Sequence, residues 1–432
     1  MAATKPGRLP GRHRRLPESQ ATYSEVIANG EFRALWFGQC LSLLGDQLAQ
    51  VALAVLVYGR TQSPLATAAV YALTYLPPIM GGPLLAGLAD RYPRRRVMLV
   101  CDVIRALLVA VMAIPGVPFW ALCVLVFCVV LLSAPFSAAR AALLPEILSG
   151  DRYVAGSALQ NMTNQAVQML GFAVGGAVIA GLGPYRALAL DSATFIASAL
   201  IIVAGVRRRA TPAPPGKSPG MWATARAGAR LVFGDRRLRT LVMFAWLCGF
   251  YVLPEGIAAP YAATLTGSGL PVAVITGLLM AAMPTGTVIG AFLFARFVSP
   301  SGRLRAMGWM AMLTCAPLIA CAVRPPLVIV LFLWILSGIG GAYQLAANAA
   351  FVQCVPPERR GQAFGLVHSG LLAVQGVGIL IGGAAAQKLG PEAVVALAGI
   401  AGLLSATLLA LLWTESRDGI IAKVRAEAST SS

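Results

Sequence analysis

Charge is scarce in this sequence. Of its 432 residues only 12% are Asp, Glu, Lys or Arg, while 58% are hydrophobic and the mean hydropathy is +0.76. That leaves too little polar surface for an ordinary water-soluble globule. Histidine is nearly missing, with only His13 and His368, and none of the eight cysteines stands in a CxxC spacing. Neither a metal centre nor a disulfide framework is therefore expected, and each cysteine reads as a small buried hydrophobe. No GxxxxGK[ST] phosphate loop occurs, which disfavours an ATP-driven pump. A cleavable leader is not expected either, because residues 1–31 are basic and polar without an apolar core. The longest polar interval, about 206–239, is too short to build an enzymatic core, so neither an enzyme nor a cofactor is expected.

Long apolar runs are what the chain does have. They fall at roughly 34–58, 65–88, 97–115, 118–143, 157–181, 186–205, 240–264, 271–295, 306–323, 327–351, 362–386 and 391–413. Each is about 20 residues long, the length at which a helix crosses a bilayer. Backbone polar groups in hydrocarbon must be satisfied within the segment, and the runs lack the short alternating pattern of barrel strands. The expected fold is all-α and integral to the membrane, with twelve spans.

A net charge of +18 would suggest nucleic acid in a soluble protein, but its distribution points to the membrane. Arg and Lys crowd the amino-terminal tail, the even-numbered loops and the carboxyl tail, whereas the odd-numbered loops hold only Arg60, Arg186, Arg324 and Lys388. By the positive-inside rule both termini are cytoplasmic, as an even number of spans requires. The expected organisation is a basic tail at 1–31, a six-helix bundle at 32–205, a cytoplasmic linker at 206–238, a second bundle at 239–413 and a tail at 414–432. Within the linker, Pro, Gly and Ser at 211–220 precede a stretch that reads equally as a surface helix or a solvated segment.

The two halves repeat one another. Gly171, Gly175 and Gly176 recur as Gly378, Gly382 and Gly383 at one constant offset, and Gly183-Pro184 recurs as Gly390-Pro391 at the same offset. Internal duplication is the sequence signature of many secondary transporters. The glycines also suit close helix packing, where small residues let backbones approach in lipid.

After the second run the chain reads AGLADRYPRRRVM, from Ala86 to Met98. This resembles the signature loop of the major facilitator superfamily, with Ala86 and Pro93 in place of two glycines. The fifth and eleventh runs are similar to its antiporter motif, although Phe172 and Ile379 stand where proline is expected. GQCLSLLGDQ, APFSAARAALLPE and VLPEGIAAPY are similar to pieces of its drug- and siderophore-exporting branch, which includes enterobactin exporters and macrolide-efflux-like proteins. The resemblance implies two six-helix bundles, a central cavity lined by the first, fourth, seventh and tenth helices, and alternating access. It implies a gating motif of Asp90, Arg91, Arg94, Arg95 and Arg140, with Asp90 linked to Arg140. The excess of Arg over Lys and the abundance of Ala and Gly suggest a GC-rich bacterial source, so a bacterial inner-membrane protein is expected, and a monomer.

Ionisable groups inside the runs are the coupling candidates, since a charge near the bilayer centre costs roughly 2.5–3.5 kcal/mol on insertion scales. Asp46 lies midway along the first run and Glu255 midway along the seventh. The repeat maps Glu255 to within about one helical turn of Asp46. Burial favours the protonated carboxyl, so either acid could carry a proton or bind a cation. Asp102 and Arg105, at i,i+3, read as a local pair. The expected partners are a small-molecule substrate, protons and the lipid bilayer, with no nucleic acid. Three functions stay open: a proton-coupled exporter of amphipathic small molecules, an uptake carrier or uniporter, and a non-transporting scaffold or sensor.

Overall fold

The computed structural model describes residues 22–85, 88–209 and 221–430, the side chains at 82–84, 89–90, 221–225, 266, 357 and 415–430 excepted. The described residues form helices and no strands. Ten helices among them are long and apolar enough to cross a membrane. These occupy the positions of the first run (Gly30–Thr61), the fourth to eighth (Phe119–Ile147, Asp151–Leu182, Pro184–Gly205, Arg236–Gly256, Val272–Phe297) and the ninth to twelfth (Pro300–Val323, Leu327–Cys354, Arg360–Leu389, Pro391–Thr414).

The second and third runs fold differently from an uninterrupted apolar span. The second is broken into Pro64–Ala72 and Leu76–Leu85, followed by the short helix Leu88–Arg91. Its break at residues 73–75 precedes Pro77 and Pro78, whose rings cannot donate backbone hydrogen bonds. The third, Arg94–Met112, is one helix, but five of its residues are charged.

Helix ends are set by local chemistry. The Asn29 side chain accepts from the backbone N–H groups of Glu31 and Phe32, and Ser63 and Ser299 cap helices that begin with Pro64 and Pro300. Gly183 and Gly390 have φ of 81° and 83°, a region open to glycine, and each hands over to a helix beginning with proline. Equivalent members of the repeat thus turn the chain alike.

Packing follows the two halves. The first span lies along the fifth and sixth, and the third against the fourth and sixth; the ninth packs on the tenth and twelfth, and the eighth on the tenth. Across the halves, the fifth packs on the eighth and the eleventh on the second. These seams are pseudo-equivalents, because the second and eighth positions correspond. Phe292, Leu404 and Leu411 are among many large apolar side chains left exposed, a surface suited to lipid tails.

In the linker, residues 210–220, including Lys217, lie outside the described residues, as do residues 1–21 of the tail. Met221–Gly234 forms an amphipathic helix that packs on the eleventh span, with Gly228 against the Gln362 carbonyl and Val232 buried. The final helix continues from Pro391 through Thr430.

Candidate functional site

The seventh span is interrupted where its acid lies. It runs as Arg236–Trp246, Cys248–Tyr251, Leu253–Gly256 and Ala258–Thr264. Pro254 and Pro260 withhold backbone donors and Gly256 weakens the helix, so the chain makes short turns, with Glu255 N–H donating to Val252 and Ile257 N–H to Pro254. The broken second span passes beside it. Tyr71 donates its hydroxyl proton to Glu255 Oε2 at 2.9 Å, across the boundary between the halves. Both residues are buried, and the Tyr71 and Tyr75 rings lie 5.9 Å apart. No cation among the described residues is ion-paired with Glu255. Its partner Tyr71 carried no signal in the sequence beyond the nearby prolines.

Asp46 has a different setting. It lies in the amino-terminal bundle, where Arg105 Nη2 donates to its Oδ1 at 2.7 Å. The expected local pair of Asp102 with Arg105 does not form: Asp102 Oδ2 instead accepts from Ser198 at 2.7 Å. A guanidinium that is 4% exposed needs several acceptors, and a local pair would leave Asp46 without a counter-charge. Arg105 also stacks 4.1 Å above the Phe195 ring centroid. Asp46 and Glu255, related by the repeat, thus have unlike partners: a guanidinium of its own half for Asp46 and a hydroxyl of the opposite half for Glu255.

In the signature loop, Arg94 donates to the Ala142 carbonyl at 3.0 Å and pairs with Glu146. Arg95 donates to the Ile202 and Val203 carbonyls, at 3.5 and 2.5 Å, where the sixth span ends. A cation at a helix carboxyl end meets the dipole favourably. Arg209 bridges Glu31 and Glu146, so the ends of the first, third, fourth and sixth spans share one charge network. Glu31, Glu146 and Arg209 were not singled out from the sequence. Arg91 is exposed. The Asp90 side chain lies outside the described residues, and so does its expected link to Arg140; Arg140 has no hydrogen-bond or ion-pair partner among the described residues.

The repeated glycines face two ways. A Cβ on Gly171 would come 2.8 Å from that of Gln47, and Gly175 lies against Leu48, both on the first span. Their equivalents Gly378 and Gly382 lie against Gly249 and Leu253 of the seventh. Gly176 turns to the other half, where a Cβ would meet the Ala273 carbonyl oxygen at 2.6 Å and Gly277 Cα at 3.0 Å. Gly383 does the same against Leu65 and Ala68 of the second span. Phe172 and Ile379, at the positions expected for proline, are buried, Ile379 directly against Gly256.

Known proteins are similar to this chain. Macrolide efflux protein A of Streptococcus pyogenes is 21% identical over 374 residues, spanning 83% of this chain and 90% of the relative. The multidrug efflux pump Tap of Mycobacterium tuberculosis is 28% identical over 369 residues, spanning 80% and 85%. Among solved structures, a mutant of the nucleoside transporter NupG superposes with a TM-score of 0.72 at 14% identity, covering 89% of this chain and 99% of that one. A mutant of the peptide transporter POT with sulfate gives 0.71 at 15%, covering 93% and 99%. Residues 35–275 and 252–430 match the Major Facilitator Superfamily, so this chain, a multi-pass membrane transporter and not an enzyme, belongs to that family.

Proposed function

We propose that the chain exports amphipathic small molecules in exchange for protons, by alternating access of its two halves. The observation that carries this reading is Glu255, a buried acid at a helix break, held by Tyr71 from the opposite half. Interrupted spans at a repeat interface are where transporters of this kind bind substrate and coupling ions. An acid whose partner is a neutral hydroxyl can gain or lose a proton without leaving a cation unpaired. The outward direction draws support from the efflux function named for both curated relatives. Proteoliposomes containing the full chain, with an imposed pH gradient and either a macrolide or a lipophilic cation as probe, test it. Proton flux opposite to probe flux is expected; probe uptake into normally energised cells, or no flux of any probe, counts against it.

The reading places both termini, the Arg94 loop and the Lys217 linker in the bacterial cytoplasm, with the Pro115–Pro118 turn outside. In a functional background lacking native cysteines, a cysteine at position 94 is expected to resist an impermeant thiol reagent added to intact cells, and one at position 116 to react. The reverse labelling pattern would invert the orientation.

At the cytoplasmic gate, Asp90 and Arg140 act as a linked pair. Asp90→Asn is expected to reduce turnover more than substrate binding. Asn and Ala replacements at the two positions should be nonadditive in flux by about 0.5–3 kcal/mol, as for residues that interact. Additive effects with an unchanged balance of inward and outward states would remove the link.

A further inference from the structure

The interior of the amino-terminal bundle holds more acid than its counter-charge can balance. Three carboxylates converge there: Asp46 from the first span, Asp102 from the third and Asp191 from the sixth. The only cation facing them among the described residues is Arg105. Asp102 and Asp191 are 0% and 1% exposed. Asp191 is tucked against the first span at Gly45, where any Cβ would collide with its carboxylate and with Thr194. Glycine there brings the Asp191 carboxylate beside the residue that precedes Asp46. Arg105 binds Asp46, Ser198 donates to Asp102, and Thr194, whose hydroxyl donates to the Asp191 backbone carbonyl at 2.7 Å, lies 3.3 Å from Asp191 Oδ1. With every acid ionised the cluster would carry two uncompensated negative charges inside an apolar bundle, which burial strongly disfavours.

A cavity of about 250 Å³ opens onto this cluster. Asp46, Gln47, Gln50, Arg105 and Asp191 supply most of its polar wall, to which the second and fourth runs add the hydroxyls of Thr74 and Ser133 but no ionisable group. Two side chains of that wall are buried with unsatisfied atoms: Gln47 Oε1 and Arg105 Nε lack hydrogen-bond partners, at 8% and 4% residue exposure. Asp102 Oδ1 is likewise unpaired. Unmet donors and acceptors around a polar cavity mark a place for water or a bound ion. Asp46, whose side chain is 28% exposed, is the most accessible of the three acids, and Asp191, which also lines the cavity, is 1% exposed.

We propose that this cluster is a proton-binding site within the amino-terminal bundle, separate from the Tyr71–Glu255 contact, in which Asp102 and Asp191 hold the protons and the Asp46–Arg105 pair is the port through which they exchange. Two protons make the cluster neutral. A metal cation is the poorer fit, because Arg105 already places a positive charge beside Asp46 and would repel it. One guanidinium can compensate one carboxylate at a time, so movement of Arg105 from Asp46 towards Asp102 or Asp191 drives a proton the other way.

This inference rests on the proton-coupled reading above, and its test separates the two. Infrared difference spectra of the reconstituted full chain, recorded through pH steps, report protonated carboxyls directly. Asp102→Asn and Asp191→Asn are each expected to remove protonated-carboxyl signal at neutral pH, Asp46→Asn to remove signal as well by freeing Arg105 to balance one of the other acids and to slow the exchange of what remains, and Glu255→Gln to leave the cluster's signal in place. The Asp102 and Asp191 variants should also lower the number of protons moved per probe molecule, with probe binding retained. If one of them fails to insert, the other carries the same test. No loss of signal in either inserted variant, or a wild-type proton-to-probe ratio, would show a structural cluster and overturn the proposal, whatever Glu255 does. A carboxylate shift produced by NaCl at constant pH would also overturn it, in favour of a metal-cation site. Retained coupling in Glu255→Gln alone would instead remove only the role given to Glu255.

Discussion

Glu255→Gln is expected to abolish accumulation driven by a pH gradient, while the protein still inserts and still exchanges substrate down its own gradient. Gln keeps the volume and a carbonyl oxygen that can accept from Tyr71, so the 2.9 Å contact across the halves survives in kind. What it loses is the ability to take up and release a proton. Tyr71→Phe tests the other partner and predicts a different defect. It removes the donor and leaves the buried carboxyl without its hydrogen bond, which for a charged acceptor is worth roughly 1.5–3 kcal/mol. Coupling should persist, but the balance between closed and open arrangements of the seam should shift roughly ten- to hundredfold, since 1.4 kcal/mol is a factor of ten. Paired measurements of proton and probe flux in proteoliposomes separate these outcomes. A folded Glu255→Gln protein with wild-type gradient-driven accumulation would end the coupling role of this acid.

The fold was legible because apolar length and repetition are properties of the chain itself. Runs of about 20 residues become helices wherever lipid forbids unsatisfied backbone, and Gly183 and Gly390 turn alike because each half copies the other. The departures also have local causes: charge within Arg94–Met112 lowers its apolarity, and Pro77 and Pro78 follow the break in the second span. Partnerships were harder to read. Helical spacing offers only neighbours on one helix, so it suggested Asp102 with Arg105, whereas burial selected Asp46 and Ser198 from other helices. Tyr71 and Glu255 lie 184 residues apart, in different halves, and nothing local links them. A sharper signal did exist at the acid itself, since Pro254, Gly256 and Pro260 around one carboxylate mark an interrupted span.

Enlarging Gly176 or Gly383 is expected to have the strongest effect on the conformational cycle, because these two glycines set how closely the halves meet. Gly176 lies towards the end of the fifth span, near Leu182, and packs on the start of the eighth, where Gly277 in turn faces the Phe172 carbonyl oxygen at 2.5 Å from any added Cβ. Gly383 lies near the end of the eleventh span and packs on the start of the second. Ser63 and Gln387 add a 2.9 Å hydrogen bond across the same end of the molecule. In the proposed orientation this is the outer end, so the structure corresponds to an outwardly closed arrangement. Gly176→Val and Gly383→Val would drive methyl groups into backbone or the Ala68 side chain of the opposite half, where little can yield. Overpacking of this sort costs about 1–3 kcal/mol, or roughly five- to 150-fold in the closed-to-open ratio. Gly171→Ala and Gly378→Ala provide the contrast, since those glycines pack within their own halves and should lower stability without biasing the seam. Distances between spin labels on the outer ends of the fifth and eighth spans would read the shift directly, with transport measured in parallel. Unchanged distances and flux in inserted Gly176→Val and Gly383→Val proteins would mean that the outer seam is not a moving contact.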